Sequence, residues 1–156
     1  MSMGKLRLVV ALAAVFTGSA LAQTTTTRTQ DYSFPAVGLG STETLEISLT
    51  NLASASSSGT AASCTGSVTF VNAAGTTIGS ATTFTLTSKQ VGSVTLPFSK
   101  SGLTGSRGFV RAVVESTTTS SVPCSLSFAM STYDTSSGAT HLFVGGGSNS
   151  AFGQGR

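Results

Sequence analysis

The reactive side chains are two cysteines, Cys64 and Cys124, one histidine, His141, and five carboxylates, Asp31, Glu43, Glu46, Glu115 and Asp134. Each cysteine opens an alternating run. Cys64, Gly66, Val68 and Phe70 fall on one face of the first run; Cys124, Leu126, Phe128 and Met130 fall on one face of the second. Period two puts residues i, i+2 and i+4 on the same side of a strand. Both thiols therefore start strands on the apolar, inward side and can meet across a core as a disulfide. Closing a loop of about 60 residues would contribute roughly 4 kcal/mol in the chain-entropy model. Two free buried thiols are the alternative. A zinc site takes four Cys, His or carboxylate ligands, which two cysteines and one histidine do not readily supply. Neither a metal nor a cofactor is expected.

Hydrolysis by a side-chain nucleophile needs a base and an acid that orients it. His141 is the base of usual type, and Asp134 flanks the same expected hairpin. The plainer expectation is an exposed strand histidine beside an aspartate that caps the turn, with no catalytic residue. Glycoside cleavage needs paired carboxylates, but Glu43 and Glu46 point to opposite faces of one strand. Calcium would want several acids in one loop, and the Asp134 turn has one. Gly145 to Gly147 follow a strand but no helix follows them, so they form no phosphate loop. What remains is a surface. Phe109 lies between Arg107 and Arg111, an arrangement suited to cation–π contact, and Tyr133 is a further exposed-aromatic candidate, as is Tyr32. The ordinary fate of a residue such as Phe109 is to lie under a neighbouring loop, and that is the expectation here.

The N-terminus points to export. Lys5 and Arg7 precede an apolar run from Leu8 to Phe16, and Ala20-Leu21-Ala22 forms a small-x-small cleavage pattern before Gln23. The run is shorter than the roughly 20 residues that span a bilayer, so residues 1–22 read as a signal peptide and no membrane anchor is expected after cleavage. The whole chain carries a formal charge of +3 from 8 basic and 5 acidic residues. Losing Lys5 and Arg7 leaves +1, which gives no support for nucleic-acid binding.

The elements expected to position these residues are short strands. Residues 23–31 form a polar leader, either loosely ordered or a Thr-rich edge strand. Tyr32 to Phe34 alternates and ends at Pro35; Val37 to Ser41 turns the chain. Glu43 to Asn51 is a strand with Leu45, Ile47 and Leu49 inward. A small-residue loop over 53–63 leads to the Cys64 strand. Asn72 to Gly75 makes a hairpin turn, and the return strand Thr76 to Leu86 carries a bulge signal at Gly79-Ser80. Gly92 to Phe98 alternates, with Pro97 marking an edge. Arg107 to Glu115 places Val110, Ala112 and Val114 on one face. Ser116 to Val122 reads as a loop, the Cys124 strand reaches Asp134, and Thr140 to Val144 closes the domain over 32–144. Residues 145–156 read as a flexible Gly/Ser-rich tail. About seven to eight strands at this spacing predict an all-β antiparallel sandwich.

Three motifs carry a resemblance: Cys-x-Gly-x-Val-x-Phe at Cys64, Arg-Gly-Phe-Val-Arg-Ala-Val-Val at Arg107, and Cys-x-Leu-x-Phe at Cys124 leading to Tyr133-Asp134-x-x-x-Gly138. Together with the signal peptide, they resemble small secreted bacterial β-sandwich proteins of immunoglobulin-like type over Phe34 to Val144. The chain departs from a true immunoglobulin domain in having no Trp to pack on the disulfide. The resemblance implies a fold and a compartment and no activity. The expected function is an exported, non-enzymatic structural or interaction module of the periplasm or cell surface, with a protein or cell-surface polymer as partner. The alternative is a fibre subunit that assembles by strand addition; a carbohydrate-binding module or hydrolase stands behind both.

Overall fold

A computed structural model describes residues 27–54, 63–119 and 124–150. The signal segment 1–22, the start of the leader, most of the 53–63 loop and the last six residues lie outside them. Alternating β-branched and polar residues make strands, and the described residues hold nine: β1 Thr27–Ser33, β2 Val37–Gly40, β3 Glu43–Asn51, β4 Cys64–Asn72, β5 Thr77–Leu86, β6 Val91–Pro97, β7 Arg107–Thr119, β8 Ser125–Asp134 and β9 Thr140–Ser150. One 3₁₀ turn, Phe98–Lys100, follows β6. All pairing is antiparallel. The first sheet runs β1-β7-β4-β5, with β2 also on β7; the second runs β6-β3-β8-β9.

The two sheets bury their apolar faces against one another. Leu45, Ile47 and Leu49 of β3 and Leu126, Phe128 and Met130 of β8 join Val68 and Phe70 of β4 and Val110, Ala112 and Val114 of β7 in one cluster. Each of these side chains larger than Ala112 contributes on the order of 1.5–3 kcal/mol by leaving water. Tyr32, Phe34 and Phe128 form an aromatic trio within that cluster, with Tyr32–Phe34 centroids 4.9 Å apart at 82° and Tyr32–Phe128 centroids 4.4 Å apart. In a chain without Trp this trio supplies much of the aromatic filling. Cys64 and Cys124 are bonded to one another, joining the start of β4 in one sheet to the residue before β8 in the other. The fold is thus all-β and sandwich-like, with the expected staple.

Buried polar groups are tied off locally. Asn51 is fully buried; its Nδ2 donates to the Leu86 carbonyl at 3.0 Å and its Oδ1 accepts from the Ala53 amide at 2.9 Å. This anchors the end of β3 to the end of β5. Thr118 Oγ1 accepts from the Cys124 amide at 3.1 Å, which holds the end of β7 beside the disulfide.

Four expectations change. Val37 to Gly40 is a strand on β7 rather than a turn, and its Val37 and Leu39 are buried. The leader from Thr27 onward takes the edge-strand alternative, as β1. Ser116 to Thr119 continues β7 instead of starting a loop, with Ser116 and Thr118 on the inward side. β9 continues past Val144 to Ser150, where a flexible tail was expected, because Gly145, Ser148, Asn149 and Ser150 pair with β8 across a register shift. β1 and β2 are two lengths of one edge, separated at Phe34-Pro35-Ala36. Pro35 has no amide to give, and Phe34 keeps the tie to β7 through its amide on the Ala112 carbonyl at 2.9 Å.

Candidate functional site

The outer face of β7 holds the clearest surface feature. Val110, Ala112 and Val114 point into the core, so alternation sends Arg107, Phe109 and Arg111 outward. Phe109 is 57% exposed. This corrects the expectation that a loop covers it: the next strand along this edge, β2, presents only Gly38 opposite Phe109. The Arg107 side chain occupies the space that glycine leaves, since a Cβ at position 38 would stand 2.3 Å from its Nε. On the other side of β7, Arg111 pairs in register with Val71 near the β4–β5 turn. Between them lies a hollow of about 230 Å³ lined by Ala36, Asn72, Ala73, Gly75, Phe109 and Arg111. The turn that walls it is tied by its own side chain. Asn72 Oδ1 accepts from the amides of Ala74 at 3.0 Å and Thr76 at 2.9 Å, and Gly75 takes a φ of +82°. Tyr133 does not belong to this group. It is half-buried on β8, where inward Thr132 sends it to the outer face of the other sheet.

A second cluster sits at the opposite end of the sandwich from the disulfide. Asp134 is not the partner of His141. Its Oδ1 accepts from the Ser136 hydroxyl at 2.6 Å, the Ser137 amide at 2.8 Å, the Ser137 hydroxyl at 2.9 Å and the Ser136 amide at 3.0 Å. The Ser136 hydroxyl foremost, then the Ser137 amide and hydroxyl, hold its carboxyl well below the usual carboxylate range. This is the turn-capping role expected of it. His141 instead pairs with Glu43, Nδ1 to Oε1 at 2.5 Å, while Glu43 Oε2 accepts from the Gly40 amide at 2.6 Å. The His141 bond first, and the Gly40 amide second, lower the Glu43 pKa from its ordinary value, with a smaller contribution from nearby Arg107; partial burial opposes them. Since the carboxylate only accepts, His141 Nδ1 is the donor.

Glu43 also lines a cleft of about 340 Å³ with Ser41, Pro97, Phe98 and Thr135. Such a His–carboxylate pair can fix an imidazole's tautomer. Among the described residues, no serine or threonine hydroxyl bonds to His141 to complete a nucleophilic set. Glu43 and His141 are 98 positions apart and lie on strands separated by β8, so their pairing depends on sheet order, which spacing alone does not reveal. No family model, curated protein or solved structure matches the chain.

Proposed function

We propose that the chain is an exported, non-enzymatic interaction module of the periplasm or cell surface. In this reading it is an immunoglobulin-like sandwich, processed after Ala22, that makes contact through the outer face of β7. The observation that carries the proposal is Phe109, 57% exposed on a strand face between two outward arginines. Aromatic and arginine side chains are among the types enriched at contact surfaces and at their energetic centres. The apolar run and cleavage pattern at the N-terminus support export, and the disulfide suits an oxidising compartment.

The test is made in cells that export the chain. Processing to a mature chain beginning at Gln23 is expected, with the protein held in the envelope fraction. Phe109→Ala should release it without altering its melting transition. An unprocessed chain, or a Phe109→Ala variant retained as fully as the parent, would overturn the proposal. A second reading, assembly by strand addition, has support in edge strand β9, whose Phe143 is 67% exposed and whose Leu142 is 38% exposed. Discrete monomers or dimers under negative-stain microscopy would count against it.

A further inference from the structure

We infer that the hollow between Phe109 and the β4–β5 turn seats one ring of a carboxylated polysaccharide, a polymer of uronic-acid type. The inference rests on the reading of β7's outer face as the contact surface and adds the chemistry of what is bound. At about 230 Å³, the hollow is smaller than the roughly 300–1,000 Å³ pockets that enclose a drug-sized ligand. It suits a single ring of a chain lying along the surface. The Phe109 ring offers an apolar surface for the C–H face of a sugar. Arg111, on the same wall, has no carboxylate partner among the described residues, and its planar fork matches a carboxylate with two parallel bonds. With its oxygen held by two turn amides, the Asn72 side chain presents its amide nitrogen as a donor to a hydroxyl.

The surroundings set direction and extent. Arg107 lies further along the same face, four residues from Arg111 or about 13 Å at strand rise, so a polymer with repeating carboxylates meets a second guanidinium. Toward the far end of β7, Glu115 stands opposite Asp31 of β1 and Ser67 of β4. Those two carboxylates repel a polyanion and confine its footprint to the Arg107–Arg111 half. An acidic peptide fits less well. Extended peptides gain affinity by adding a strand to a free edge, and β7 is already paired on both sides, with β1 and β2 on one and β4 on the other.

The test is affinity electrophoresis of the disulfide-bonded chain in gels containing polygalacturonate, its fully methyl-esterified form, or polyglutamate. Retardation is expected with polygalacturonate alone, and it should weaken as salt is added. Arg111→Gln should weaken it by about tenfold or more, the loss expected when a charge-assisted contact is removed, and Phe109→Ala by about as much, because the apolar surface that the sugar covers is lost. Lys100→Gln, on the turn after β6 in the other sheet, should leave it unchanged. Absence of retardation, equal retardation by polyglutamate, or equal loss in the Lys100 variant would overturn the inference. If polygalacturonate fails while Phe109-dependent envelope retention persists, the ligand class is wrong and the contact face stands; if both fail, both readings fall.

Discussion

Glu43 shows how one residue's surroundings set its protonation. Its carboxylate accepts from His141 Nδ1 and from the Gly40 amide, and its side chain is only 15% exposed. Because its folded pKa lies below the ordinary 4.5, the unfolded chain takes up the proton first as pH falls. The stability it contributes is therefore complete above about pH 4.5 and is lost as pH drops through the lower folded value. Asp134, also lowered, acts in the same direction from its ordinary 3.8 downward. Melting temperature measured from pH 6 down to pH 2 should fall through this range. Glu43→Gln should lower it at pH 6 and make the decline shallower; an unchanged slope would show that the Glu43 bonds do not persist in solution. The Asp134 turn was legible because its Asp, Ser and Gly lie within five positions. The Glu43 pair was not, because nothing in spacing says that β3, β8 and β9 are neighbours. Phe109 was misjudged for a related reason: its exposure follows from glycine at position 38 on another strand.

At the level of strands, β4 shows what the central position of a sheet demands. It is paired with β7 on one side and β5 on the other. A Cβ at Gly66 would stand 2.0 Å from the Glu115 carbonyl oxygen and 2.6 Å from the Phe84 ring. The first is backbone within the β4–β7 ladder and cannot swing aside. Gly66→Ala should therefore destabilise by about 1–3 kcal/mol, the usual cost of overpacking, read as a lower urea midpoint with unchanged slope. Gly38→Ala is the contrast: its clash is with the mobile end of Arg107, so stability should hold while Arg107 is displaced. The periodic strands β3, β4 and β8 were legible down to their inward residues, because an unbroken alternation specifies a face. β2 was hidden by its glycines, which read as a turn. The end of β7 was hidden because its inward residues, Ser116 and Thr118, carry hydroxyls, and a run of Ser and Thr without apolar alternation reads as a loop.

For the whole molecule, the question is whether the two sheets unfold as one body. Their apolar faces form a single cluster, and the Cys64–Cys124 bond joins them across a sequence separation of 60. Replacing both cysteines by alanine frees that loop in the unfolded chain and should cost about 4 kcal/mol in the chain-entropy model, measured by urea denaturation. The disulfide lies at the Asn51 and Thr118 end of the sandwich, whereas Glu43 and His141 lie at the other. β8 pairs with both β3 and β9, but Cys124 precedes its first residue whereas Glu43 stands opposite its last, Asp134. Effects at separate sites add within about 0.5 kcal/mol when a domain unfolds in one step. The triple variant Cys64→Ala, Cys124→Ala, Glu43→Gln should therefore lose the sum of the two separate losses, with a single transition. Two transitions, or a deficit well outside that margin, would mean that the shared core does not couple the sheets, and that the disulfide rather than the packing holds them together.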